Sequence, residues 1–152
     1  MENRSIALNK RLNSDRNVSL ILGIAIAVVG VLQTATFFVG GDPEAIRRAV
    51  HAFTCAIVLF IIYKALSVIR KEGRPFTDKI IKYLRTAAVV IMIGGFLPPF
   101  LEMAAATFKG DMYTWNMGDF DLLVPVIGVT VGIISEMFVY GKDLQEDNDL
   151  IA

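Results

Sequence analysis

Four ionisable residues stand inside or at the edge of long apolar stretches, where a charge is costly and often marks a functional site. They are His51, Lys64, Glu102 and Glu136. An imidazole beside a carboxylate, as in His51 with Glu102, could respond to pH near neutrality. Glu136 could contact an ion or a ligand, or form a structural pair with Lys64 or Arg85. We expect structural or interfacial roles for both carboxylates and keep the four residues as functional candidates.

The depth of these groups limits the chemistry that they could do. At about 1.5 Å per helical residue, Glu102 lies roughly 24 Å beyond Thr86, where its apolar segment begins, and so near one edge of the apolar layer. His51 lies near the same edge, whereas Lys64 and Glu136 lie near the other. The middle of the layer holds no charge, which disfavours an ion or proton pathway through a single chain.

The sequence contains no arrangement typical of catalysis or metal binding. One Cys and one His, Cys55 and His51, cannot build a zinc site, and a single Cys cannot form a disulfide within the chain. Paired carboxylates, an HExxH motif and a Ser/His arrangement are also missing from the sequence. We therefore predict a protein that is not an enzyme and that has no catalytic residues, metal or cofactor.

The apolar stretches predict the fold. Of the 152 residues, 55% are hydrophobic, and residues 17–41 form a run of 25 without a charge. A helix needs about 20 such residues to cross a hydrocarbon core roughly 30 Å thick. The pattern therefore predicts an all-α integral membrane protein with a single membrane domain over residues 1–152. Four transmembrane helices are expected at about residues 18–38, 45–69, 78–101 and 122–140.

Local signals mark the connection between the second and third helices. Gly73 is suited to end the second helix. Thr77 is suited to cap the third, with Asp78 at the positive end of its dipole. Phe76 and Ile81 occupy the two positions of a hydrophobic staple.

A double proline interrupts the third helix. Pro98 and Pro99 each remove a backbone donor and clash with the preceding turn, so we expect a kink or an end near Phe96. Together with Gly94 and Gly95, this segment is interpreted as flexible. A broken helix that lines a site, as in some transporters, is the alternative.

Three segments are predicted to lie outside the helices. The first is a solvated arm at residues 1–16, and the third is an acidic tail at residues 141–152. Between them, the loop at residues 102–121 carries Tyr113, Trp115 and Phe120, which are typical of an aromatic belt at a membrane interface.

Positive charges indicate the orientation of the chain. Four Lys or Arg residues lie in the arm, seven around the second loop and one in the tail, so twelve of the fifteen share one side. The positive-inside rule places this side and both termini in the cytoplasm. The same rule explains the basic loop, so no direct contact with nucleic acid is predicted.

Gly128 and Gly132 form a GxxxG motif in the fourth helix, which permits close approach of another helix. Two uses of this motif stay open. It could serve packing within the chain, or it could form a face for homo-oligomers.

Two segments resemble a known family. They are Gly-Arg-Pro-Phe-Thr at residues 73–77 and Glu-Met-Phe-Val-Tyr-Gly-Lys-Asp-Leu-Gln-Glu-Asp-Asn-Asp at residues 136–149. The chain is similar here to the bacterial membrane proteins grouped as domain of unknown function 2975, or YoaS-like. The resemblance implies a four-helix protein of a bacterial inner membrane, without an established activity. It also implies a link to small helix-turn-helix regulators, beside which members are often encoded. The last residues, 150–152, depart from the usual Thr-Val-like ending.

The residues of these segments define a candidate partner face on the cytoplasmic side. We predict a non-enzymatic protein, embedded in the lipid bilayer, that binds a cytoplasmic protein or transmits a signal there. A small helix-turn-helix regulator is a candidate partner. The alternative is a small transporter or channel subunit that works as an oligomer. The candidate face consists of Pro75, Phe76, Tyr140, Gly141, Leu144 and Gln145.

Overall fold

The computed structural model describes residues 2–110, 112 and 121–151, and four helices account for nearly all of them. All four are long and apolar enough to cross a membrane. The all-α prediction with four apolar helices is therefore confirmed. The helices are α1 (Glu2–Gly40), α2 (Pro43–Glu72), α3 (Asp78–Lys109) and α4 (Leu123–Ile151).

The helices pack in chain order, α1 on α2, α2 on α3 and α3 on α4. Within the described part of the chain, α1 and α4 make no comparable contact with each other. Contacts join the start of each helix to the end of the next, so neighbours are antiparallel. We call the end with the α2–α3 connection the basic end, and the opposite end the far end.

Small residues fill the contacts between the helices, and large apolar residues face outward. Ala45, Ala56 and Ala87 are each at most 4% exposed, whereas Ile21 and Leu32 of α1 are at least 60% exposed. Small side chains let helix backbones approach closely, as they do in membrane helix bundles. This distribution is the inverse of a soluble core, in which the large apolar side chains are buried.

The connection between α2 and α3 begins and ends where the sequence predicts. Gly73 has a positive φ of 68° and its N–H donates to the Ile69 carbonyl, which is the predicted helix end. Thr77 is the N-cap of α3, but its side chain makes no capping hydrogen bond. Its hydroxyl is buried and has no partner among the described residues. Phe76 contacts α4 through Phe138.

The helices extend further than hydropathy predicts. The arm at 1–16, the start of the loop at 102–121 and the tail at 141–152 were all expected outside the helices. Instead α1 begins at Glu2, α3 ends at Lys109 and α4 continues to Ile151. The reason is that adding a residue to an existing helix is far easier than nucleating one, so polar segments propagate it. Tyr113, Trp115 and Phe120 lie outside the described residues.

The double proline does not end α3, so of the kink or end expected near Phe96, the end is wrong and the kink stays a prediction. Pro98 and Pro99 are both buried inside a helix that continues for ten further residues. Their rings face the carbonyls four residues earlier, which belong to Gly94 and Gly95. These glycines are points of close packing: Gly94 lies against Thr54 of α2, and Gly95 lies against the ring of Pro125 of α4. Neighbours on both sides therefore support this turn of α3.

Gly128 has a packing role within the chain. A Cβ at this position would lie 2.7 Å from Met92 Cγ and 3.0 Å from the Ala88 carbonyl oxygen, both on α3. Gly132 is less crowded, because its nearest neighbour would be Ala88 Cβ at 3.8 Å. An oligomer formed through Gly128 would have to replace this α3–α4 contact.

Candidate functional site

The antiparallel packing of α3 and α4 joins the two sequence segments at the basic end. The Phe76 ring meets the Phe138 ring edge-to-face, with centroids 5.2 Å apart and planes at 62°. The ring also covers Gly141, where a Cβ would lie 2.8 Å from two ring carbons. Edge-to-face geometry is a favourable arrangement for two aromatic quadrupoles. Only a residue without a side chain fits beneath Phe76 without a shift of its ring.

Two ion pairs lie beside this aromatic contact. Lys142 Nζ is 2.9 Å from Asp78 Oδ1 and 3.5 Å from Glu146 Oε1. The first pair joins α4 to the first turn of α3, and the second lies along α4. A groove of about 150 Å³ runs over these groups. Segments more than 60 residues apart thus form one contact, which we call the latch and define as Phe76, Asp78, Phe138, Gly141 and Lys142.

Some residues of the predicted partner face belong to or line the latch, and the others are exposed. Phe76 and Gly141 are used for packing inside the chain, and Gln145 lines the groove. Pro75, Tyr140 and Leu144 remain exposed. The side chains available to a partner are therefore a subset of those expected from the sequence.

A row of exposed apolar residues runs along α4 past the latch. Its members are 60–72% exposed and follow each other at intervals of four, three and four residues. This spacing places them on one face of a helix. We call the row the exposed stripe, and it consists of Ile133, Met137, Tyr140 and Leu144.

Glu136 pairs with Arg85, one of its two expected partners. Arg85 donates from Nε at 3.2 Å and from Nη2 at 2.8 Å, both to Oε1 of Glu136. Both side chains are more than half exposed. Lys64, the other expected partner, instead lines a cavity with Arg16 and Tyr63. The structure thus separates Glu136 from Lys64.

Glu102 pairs with Arg47, whereas the sequence suggested His51. Arg47 donates from Nε to Oε1 at 2.8 Å and from Nη2 to Oε2 at 2.7 Å, a bidentate pair. The Glu102 side chain is 5% exposed and that of Arg47 is 36% exposed. His51 lines a separate, almost wholly apolar cavity of about 400 Å³ together with Thr54 and Cys55.

Sequence reasoning missed the Arg47–Glu102 pair because it treated Arg47 only as a topology charge. The sequence nevertheless contained a signal from which this ion pair could have been predicted. In an antiparallel pair of helices, the first turns of α2 and the last turns of α3 lie at the same depth, and they carry Arg47 and Glu102 respectively. Among the described residues, no three His, Cys, Asp or Glu side chains come together as metal ligands could.

Comparison with known proteins gives one family. The sequence model of the family described as "Protein of unknown function (DUF2975)" matches residues 45–151. The match includes α2 from its first turn, α3, α4 and both segments of the latch. No curated protein and no solved structure matches the chain. Because the match extends over more than half of the chain, the protein belongs to the DUF2975 family.

Proposed function

We propose that this chain is a multi-pass protein of a bacterial inner membrane, with both termini in the cytoplasm, that binds a cytoplasmic protein at its basic end. It acts without catalysis, as a docking or signal-transmitting protein. The observation that carries the proposal is the exposed stripe of α4, which continues beyond the latch to Leu144. A large apolar residue exposed beside a membrane boundary suits contact with another protein.

The latch supports the proposal because it fixes the rotation of α4. Phe76 sits over Gly141, and Lys142 pairs with Asp78. With these contacts made on one side of α4, Tyr140 and Leu144 stay 72% and 64% exposed. An amphipathic helix face of this kind binds partners through residues at helical spacing.

The orientation and the partner class rest on charge and on the family. Twelve of the fifteen Lys and Arg residues belong to segments at the basic end, which favours the cytoplasm for this end. A small helix-turn-helix regulator is the partner that the family resemblance suggests. Such a regulator would contact the exposed stripe, and the DNA would be bound by the regulator.

Co-purification from native membranes tests the proposal. The double variant Tyr140→Ala/Leu144→Ala removes two exposed side chains without touching the latch. We expect retrieval of the partner to fall by about fivefold or more, because truncation of an interface anchor commonly costs over 1 kcal/mol. The matched control is Leu150→Ala, which shortens an apolar residue that is 86% exposed on another face of α4. Equal retrieval by the double variant and the unchanged chain would remove the stripe from the proposal.

A further inference from the structure

A cavity at the basic end is lined by positive charges from two helices and by hydroxyl groups. It has a volume of about 630 Å³ and lies where the first helix, the end of α2 and the start of α3 meet. Among the residues that the structure describes, no acidic side chain lines it. Small-molecule sites in proteins commonly fall between about 300 and 1,000 Å³. The lining residues are Arg16, Tyr63, Lys64, Ser67, Val68, Arg70, Lys71 and Tyr83.

Arg16 of α1 is held at this cavity with unused hydrogen-bonding capacity. Its guanidinium carbon lies 5.9 Å from the centroid of the Tyr63 ring, a cation–π contact. One N–H donates to Asn17 Oδ1 at 3.3 Å. The Nε group is buried and has no hydrogen-bond partner among the described residues. A buried donor of a charged group is unfavourable unless an acceptor meets it, so this group favours an anion.

The charges of the cavity differ from those around them. Lys79 and Arg85 nearby are each paired with a carboxylate, at 2.6 Å to Glu72 and 2.8 Å to Glu136. Within the described part of the chain, the four cations of the cavity form no such pair. Orientation by the positive-inside rule requires cations on one side, but it does not require four of them around one cavity.

We propose that this cavity binds a phosphate group, carried by an anionic lipid headgroup or free in solution. Arginine and lysine donate to phosphate oxygens with charge-assisted hydrogen bonds, and the hydroxyls of Tyr63 and Tyr83 add neutral donors. Lys64 stands at the end of the apolar part of α2, which is the level of lipid headgroups in a membrane helix. Basic pockets between helices at this level are suited to phosphorylated headgroups. The proposal does not depend on partner binding by α4.

The test uses the full chain and two probes that separate the sources of the phosphate. Native mass spectrometry counts phosphatidylglycerol retained from mixed phosphatidylglycerol–phosphatidylcholine nanodiscs. Calorimetry measures inorganic phosphate binding to the detergent-solubilised chain. Arg16→Gln is expected to weaken binding of at least one probe by about tenfold, because a charge-assisted hydrogen bond is lost. Lys82→Gln removes an equal charge from an exposed position outside the cavity and is expected to change binding by less than about twofold.

Each outcome decides between specific alternatives. Loss of phosphatidylglycerol retention alone assigns the cavity to lipid, and loss of phosphate binding alone assigns it to a soluble anion. Equal losses in Arg16→Gln and Lys82→Gln would show a diffuse basic surface and overturn the proposal, as would binding of neither probe by the unchanged chain. If Arg16→Gln fails to fold, Arg70→Gln, at an exposed lining residue, replaces it under the same expectations.

Discussion

The two ends of the bundle hold their helices together in different ways. At the far end, the bidentate Arg47–Glu102 pair joins α2 to α3, and the carboxylate is almost fully buried. At the basic end, the Phe76 ring of the α2–α3 connection packs on Gly141 of α4, and the nearby Lys142–Asp78 pair reaches solvent through Asp78, whose side chain is 82% exposed. Helix contact thus depends on a buried ion pair at the far end, and on the fit of an aromatic ring against a glycine at the basic end.

The comparison of the two ends shows that the burial of an ion pair decides how much it contributes to stability. A buried pair is expensive to break, because the remaining charge has lost its partner without regaining water. An exposed pair is screened and is readily replaced by solvation. Ion pairs with similar distances, 2.7 Å at the far end and 2.9 Å at the basic end, should therefore differ greatly in their effect on unfolding.

The largest effect is expected from Glu102→Gln. This change leaves the guanidinium of Arg47, about one-third exposed, without its bidentate carboxylate. We expect a loss of about 3 kcal/mol in the free energy of unfolding, at the low end for broken buried pairs because Arg47 keeps some contact with solvent. Thermal unfolding in detergent, followed by circular dichroism, measures the shift in Tm.

A matched control distinguishes this pair from the other acids of the same end. Glu44→Gln breaks only an exposed pair with Arg48 at 3.2 Å and should cost less than about 0.5 kcal/mol. The double variant Arg47→Met/Glu102→Leu should recover most of the loss, because no unpaired charge remains. A double variant as unstable as Glu102→Gln would contradict the charge explanation.

A smaller loss is expected from Gly141→Ala at the basic end. The new Cβ would lie 2.8 Å from the Phe76 ring, which must move. Overpacking lowers the free energy of unfolding by about 1–3 kcal/mol, whereas the higher helix propensity of alanine raises it by up to about 1 kcal/mol. We therefore expect a net loss of about 1 kcal/mol in the free energy of unfolding. Chemical or thermal unfolding of the purified chain measures it.

Gly132→Ala is the matched control for this substitution. Its Cβ would meet nothing closer than Ala88 Cβ at 3.8 Å, so the change should be neutral or stabilising by up to about 1 kcal/mol. Phe76→Leu should rescue Gly141→Ala by making room for the methyl group. Equal effects of the two alanine substitutions would show that the ring does not restrict Gly141.

The smallest effect is expected from Lys142→Gln. The pair with Asp78 is exposed on the Asp78 side, and Asp78 retains its favourable place in the first turn of α3. We expect no resolvable change in Tm at physiological salt. A shift as large as that of Glu102→Gln would show that the latch depends on charge after all.

The sequence predicts the four apolar helices and several of their boundaries because these depend on local chemistry. Gly73 adopts the left-handed conformation that ends α2, and α3 begins at Asp78, directly after its N-cap Thr77. Both features follow from a residue type and its immediate neighbours. The pairing of Glu136 with Arg85, one of two expected partners, follows from the similar depth of two charges on neighbouring helices.

Features that depend on tertiary neighbours could not be predicted in this way. Pro98 and Pro99 suggest a break when α3 is considered alone, but the structure packs Thr54 and Pro125 against the glycines one turn earlier. Hydropathy also marks the end of an apolar stretch and not the end of a helix. The extensions of α1, α3 and α4 are therefore absent from the predicted ranges.

α4 is one continuous helix that joins the packed bundle to the basic end. Pro125 rests against Gly95 inside the bundle, and Leu144 lies 19 residues further along the same helix, about 29 Å away at 1.5 Å per residue. Because the latch holds this helix at Gly141 and Lys142, a rotation that began at Pro125 would have to break these contacts before it moved Leu144. The latch and the Pro125–Gly95 contact therefore resist rotation of α4 at two separate points along one helix.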